Sequence, residues 1–332
     1  MKKTISVIIV FAAILFIIPG CRQNNNSGAQ NQDGKINVTS TIFPAYDFVR
    51  QIAADKVNLI MLLPPGSESH SFEPSPRDII TIQNSDIFMY IGGESDNWVG
   101  RILQSMNTDS IKILSILDTV ELVEEEIIEG MEHDHQHHED EHDHDDDDDD
   151  DHHDDEINND EHVWTSPRNA ILIVRAITNL LCEADPANND FYRKNAASYT
   201  EELEKLDAAF SEVVDEAKRK TMIFADRFPF RYFVDAYGLS YFAAFPGCST
   251  ETEPSAATVA FLIDKTRAER IPVVFHIELS NERMANTISE ETGAKKLQFH
   301  SCHNISRRDF DAGLGYLDLM RRNVENLREA LH

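Results

Sequence analysis

The chain has 332 residues, 41% of them hydrophobic, and a formal charge of −29. That length suggests about two domains, the apolar content is ample for two cores, and an acidic chain with no basic patch excludes nucleic acid as an expected partner. Sixteen of the negative charges sit in one tract at 132–156, which leaves −13 for everything else.

In chain order, Lys2 and Lys3 precede an apolar run at 5–18 that is short for a spanning helix and placed as a targeting segment. Residues 1–20 therefore read as a signal peptide. The run ends in Ile18-Pro19-Gly20-Cys21, which resembles a bacterial lipobox with Cys21 as the lipidated residue, although Pro19 is an unusual choice there. The alternative is an ordinary secretory signal with a chance cysteine. Lipidation would anchor the chain at the outer face of the membrane, with 21–35 as a flexible tether.

Strand and helix patterns then alternate. Strands are expected at 36–39, 57–63, 87–91 and 111–114, and helices at 44–54, near 78–84 and at 96–106. After the acidic tract, Thr165 or Ser166 can cap a helix with Pro167 in its first turn, running to about Glu183. A second long helix is expected over 189–219, where Tyr192, Tyr199, Leu203, Leu206, Phe210 and Val213 recur every three or four residues. Alternation resumes with strands at 222–224, 239–243, 273–277 and 296–299, and helices at 254–267, 282–292 and 308–331. This rhythm predicts an α/β protein with two lobes built on parallel-type sheets and joined by a long rigid helix. The expected boundaries are 36–165 for the N-terminal lobe including the tract, 166–220 for the connecting helices and 221–332 for the C-terminal lobe. Of the remaining cysteines, Cys248 and Cys302 follow predicted strands and are the expected disulfide pair if one forms. Cys182 lies in an apolar helical pattern and reads as a buried thiol.

The tract EHDHQHHEDEHDHDDDDDDDHHDDE holds eight histidines among its acids. It has nothing apolar to bury, so it cannot form a core. Imidazole and carboxylate together are ligands for zinc and neighbouring divalent ions, whereas a purely acidic run would be only a solvated linker. Two further histidines stand where open α/β sheets bind ligands, in loops at the carboxyl ends of strands. His70 follows the second strand in a loop stiffened by Pro64, Pro65, Pro74 and Pro76. His162 lies just before a helix beyond the tract.

The segment PPGSESHSFEPSPRDI, the His/Asp-rich insertion and DEHVWTSPRN resemble the metal-binding lipoproteins of ABC importers for zinc and manganese, through TETEPSAAT and EETGAKKL to the last helix. The resemblance implies a two-lobed fold with metal between the lobes, His70 and His162 as the first two ligands, and Glu278 as a non-ligating glutamate near the cleft. The C-terminal half departs from the pattern. Asp226 or Arg227 stands where the zinc branch places a third histidine in a helical segment, and a guanidinium cannot ligate a cation. Asp226 could ligate if the register slips by one. The loop expected to supply a fourth, acidic ligand reads QFHSCHNIS. Two of His276, His300 and His303 are therefore expected to complete the site. Cys302 is soft enough for zinc if it is not in a disulfide.

A donor set rich in imidazole favours Zn2+ over manganese. The implied function is extracytoplasmic capture of Zn2+ as transported ligand and its delivery to an ABC permease and its ATPase, by a monomer tied to the membrane through its lipid. Competing classes are a manganese or other divalent importer component, an extracellular metal buffer or adhesin with a role in cell adhesion, and a zinc hydrolase. The last lacks an HExxH pattern and any nucleophile motif.

Overall fold

The structure is a computed structural model and describes residues 34–69, 71–131, 159–249 and 254–332. The signal segment, Cys21, most of the tether, His70 and the tract 132–156 lie outside the described residues.

Strand β1 (Ile36–Ser40) leads through helix α1 (Phe43–Ala53) to β2 (Val57–Met61). Helix α2 (Pro76–Gln83), β3 (Ile87–Tyr90), α3 (Asn97–Ser105) and β4 (Lys112–Ser115) follow. These strands form a wholly parallel sheet in the order β2-β1-β3-β4. Helices α4 (Pro167–Ala184) and α5 (Asn189–Asp215) come next. The second half runs β5 (Thr221–Phe228), α6 (Arg231–Tyr237), β6 (Ser240–Pro246), α7 (Ala256–Ala268), β7 (Val273–His276), α8 (Arg283–Thr292) and β8 (Lys295–Gln298), closing with α9 (Arg307–Asp311) and α10 (Tyr316–Leu331). Its sheet is also parallel, in the order β6-β5-β7-β8. The expected fold class holds: each parallel pair requires a crossover, and the intervening helices supply it.

The 27-residue α5 is the longest element among the described residues and spans about 40 Å at 1.5 Å per residue. Its buried stripe, Tyr192, Tyr199, Leu203, Leu206, Phe210 and Val213, is the one the periodicity predicts. It packs on α1 from the first half, on α4, and on α10 from the second. One continuous apolar core consequently runs through both lobes, from Val38 and Phe48 to Phe224, Phe299 and Tyr316.

Polar contacts stitch the halves together. Buried Asp47 of α1 accepts from the Tyr316 amide at 2.7 Å, and Arg50 donates to the carbonyls of Gly313 and Leu314. A side chain at Gly315 would collide there, its Cβ falling 2.9 Å from Asp47 Oδ2. The expected single closing helix over 308–331 is therefore two helices, because the chain must break at Gly313-Leu314-Gly315 to meet α1. The expected Cys248–Cys302 disulfide is also absent, since both are free thiols. Cys302 is fully buried in the core, while Cys248 sits against the carboxylate of Glu125, which accepts from its amide at 2.9 Å. Cys182 is free and buried, as expected. No helix among the described residues is long and apolar enough to cross a membrane.

Candidate metal centre

The carboxyl ends of the two sheets face a small cavity of about 20 Å3, the room of one ion or water. Its lining draws on both halves: Ser67, Glu68 and Ser69 from the loop after β2, His162, Arg227 from β5, and Glu278, Ser301 and His303. His162 is wholly buried and lies between the tract and the short helical turn that opens α4. Its Nδ1 meets Asp160 Oδ1 at 3.1 Å, and the same oxygen accepts from the His162 amide at 2.7 Å. Asp160 is itself held, its carbonyl accepting from Tyr232 Oη at 3.0 Å. Burial opposes protonation of His162, but Asp160, with Glu161 and Glu125 beyond it, lifts its pKa above the usual histidine range. A carboxylate on Nδ1 fixes the tautomer that presents Nε2 as a donor to an ion. The chain can come this close only because residue 247 is glycine, where a Cβ would lie 3.2 Å from His162 Nδ1 and 2.9 Å from the Phe228 carbonyl.

His303 faces His162 edge-on, with ring centroids 5.2 Å apart. Trp164 backs both rings, at 5.6 Å and 5.0 Å, and its indole N–H donates to the Ser301 carbonyl at 2.9 Å. Glu278 builds the turn that carries His303. Its carboxylate accepts from the Ser301 amide at 2.7 Å, from Ser301 Oγ at 2.5 Å and from the His303 amide at 3.2 Å. Cys302 takes positive φ in that turn and donates its amide to His300 Nδ1 at 2.9 Å.

The structure thus brings His162 and His303 together and leaves the other two candidates outside the cavity lining. Strand β7 ends at His276, so the alternation that would put His276 and Glu278 on one side stops there, and the His276 ring nitrogen meets the Ile277 carbonyl instead. His300 is buried and tied to the Cys302 amide, and burial lowers its pKa. Cys302 is absent from the cavity lining, and burial pushes its thiol well up. Asp226 and Arg227 lie on strand β5, not on a helix. Arg227 lines the cavity, whereas Asp226 lines a neighbouring one and accepts from the Arg227 amide at 2.9 Å. Among the described residues, no three His, Cys, Asp or Glu side chains are grouped closely enough to hold an ion alone.

Residues 38–330 match the family model described as the zinc-uptake complex component A, periplasmic. This chain belongs to that zinc-uptake family. It is 32% identical over its whole length to the high-affinity zinc uptake system protein ZnuA of Bacillus subtilis, covering 99% of that protein. It is also 32% identical to the zinc-binding lipoprotein AdcA of Streptococcus pneumoniae over 98% of this chain, and spans 61% of that longer relative. The crystal structure of the Zn(II)-bound ZnuA-like domain of AdcA superposes with a TM-score of 0.71 at 29% identity, covering 90% of this chain and 99% of that domain. Within this family the chain is a solute-binding protein rather than an enzyme.

Trp164, Asp160 and the work of Glu278 were not read from the sequence as parts of the site. A carboxylate two residues before a candidate ligand was the available signal for Asp160. The indole contact across 137 residues gives no local signal at all.

Proposed function

We propose that this chain captures Zn2+ outside the cytoplasm and hands it to an ABC permease and its ATPase. The ion would be held by His70, His162 and His303. The observation that carries this reading is the pairing of two buried imidazoles, His162 and His303, from opposite halves of the chain on one ion-sized cavity. Two donors are too few for zinc, which takes four ligands. Ser69 lines the same cavity, which supports its neighbour His70 as the third. Lipidation at Cys21 would hold the protein, acting as a monomer, at the membrane.

Imidazole donors favour zinc over manganese, which prefers oxygen. The nearby carboxylates do not supply that oxygen, because Glu278 is committed to the 301–303 turn and Glu68 to Arg227. The test is a zinc titration against a competing chelator with His70→Ala, His162→Ala and His303→Ala. Each is expected to weaken the tight site by about a hundredfold or more, losing one donor of the set. A His303→Ala protein that binds zinc as tightly as wild type would remove the second half of the chain from the site.

A further inference from the structure

Arg227 is the feature of this cavity that zinc capture alone does not explain. A guanidinium has no lone pair to give a metal and repels one. Yet its side chain is only 11% exposed and is held from both sides. Nη1 and Nη2 reach the two carboxylate oxygens of Glu68 at 3.2 and 3.1 Å, and Nη1 also meets the Ser249 carbonyl at 3.3 Å. Glu68 belongs to the loop after β2 and Arg227 to β5, so the pair crosses between the halves at the wall of the cavity.

Resting on the metal reading above, we propose that Glu68 is a counter-charge residue: it neutralises Arg227 and so makes the cavity receptive to a divalent cation without ligating it. The make-up of the cavity wall supports this assignment. Arg227 is the one lysine or arginine among the described lining residues, and Glu68 is the carboxylate bonded to it. Removing Glu68 would take away the carboxylate bonded to the guanidinium, leaving it beside the ion with the Ser249 carbonyl as its hydrogen-bond partner and Asp226 nearby. Removing Arg227 would leave an extra carboxylate near the ion. The two halves of one ion pair should therefore act on zinc affinity with opposite signs. A merely structural bridge would give losses of the same sign for both. The pair also lines an adjoining cavity of about 410 Å3 together with Asp226, Ser280 and Asn281, so it stands between the ion site and a roomier space.

The test is zinc affinity by chelator competition on the full chain carrying Glu68→Gln, Arg227→Gln or both, with thermal melts to verify folding. Glu68→Gln is expected to weaken binding by about tenfold or more, Arg227→Gln to leave it equal or tighter, and the double variant to return close to wild type. Glu68→Asp keeps the charge and is expected to retain wild-type affinity. The proposal is overturned if both single glutamine variants weaken zinc alike, if the double variant is no better than Glu68→Gln, or if Glu68→Asp loses as much as Glu68→Gln. Those results would leave the histidine site standing. A wild-type chain that binds no zinc would overturn the site itself and this inference with it.

Discussion

At the scale of single residues, the proposed site depends on groups outside its donor set. Asp160 sets the tautomer and angle of His162 through the 3.1 Å contact at Nδ1. Asp160→Asn keeps the shape but weakens the acceptor, and zinc affinity is expected to fall by about 10–100-fold in a chelator competition. Unchanged affinity would mean that His162 is oriented by its packing on Trp164 instead. A second residue should mark the pH dependence of the metal-free fold. Burial raises Asp96 from 3.8 to about 7, against hydrogen bonds from the amides of Ile91 and Gly92. Between those two values the native state binds a proton that the unfolded chain has released, so stability falls as pH rises through this range. From pH 6 to pH 8 the loss from this group is on the order of 1 kcal/mol. His162 acts in the same direction, because its raised pKa gives stability that is present at low pH and lost as pH rises through the folded value. Buried His300, whose pKa is lowered, acts in the opposite sense, so the readout is the difference between variants: Asp96→Asn should lose less melting temperature, or gain more, than wild type from pH 6 to pH 8 without zinc. An Asp96→Asn protein with the wild-type pH slope would contradict the Asp96 assignment. That His162 reaches a cavity at the sheet edge was legible in the sequence, because DEHVW sits between a His-rich tract and a helix start. Which of His276, His300 and His303 reaches that cavity was not, because it depends on where β7 ends and on a turn with positive φ at Cys302.

At the scale of elements, most of the fold was legible because most strands are short, largely apolar runs between turn residues, β1 (INVTS) and β8 (KKLQ) being the more polar ones. The α5 stripe was readable for the same reason: its period is local. What escaped was set by contacts distant in sequence. The closing helix breaks to reach Asp47 and Arg50, more than 260 residues away. Strand β5 runs on to Phe228 through a register shift between Phe224 and Arg227, which carries Arg227 to the cavity. The ends of the tract illustrate a separable element. Glu124 and Asn159 form an antiparallel bridge, and the Asp160 amide donates to the Val123 carbonyl at 2.9 Å, so residues flanking the tract are tied without it. Deleting 132–156 is accordingly expected to preserve one tight zinc site and to remove several weak ones in a calorimetric titration. An unchanged stoichiometry would refute metal collection by the tract. Gly247→Ala tests the opposite kind of element, a loop whose closeness is essential. Its Cβ would press on His162 Nδ1 and the Phe228 carbonyl, and zinc affinity should drop while the fold persists.

At the scale of the whole molecule, the question is how a site shared by two lobes opens. A hinge needs few contacts across it, and here the contacts are many. One apolar core passes through both lobes around α5. Trp164 donates to Ser301, Tyr316 Oη donates to the Trp164 carbonyl at 2.7 Å, and Asn304 donates to the carbonyls of Pro64 and Ser67 at 2.9 and 2.7 Å. Swinging the lobes apart would break these bonds and also expose buried aromatic surface, whereas shifting the loops that carry Glu68, Ser69 and His303 would disturb at most the Ser301 and Asn304 bonds and leave the core around α5 packed. Release is therefore expected to proceed by loop rearrangement and small lobe shifts. The check is small-angle scattering on the chain lacking 132–156, with and without saturating zinc, so that the lobes dominate the signal. The radius of gyration, about 19 Å for a compact body of this size, should change by less than about 1 Å. The same zinc addition should raise the melting temperature, since an ion bound only by the folded state adds about 2.7 kcal/mol at a hundredfold excess over Kd. A clear stabilisation with no compaction is the signature of a stiff spine with a preformed cavity. Compaction of several ångströms would mean that the shared core parts in the metal-free protein, and the spine would then be a hinge.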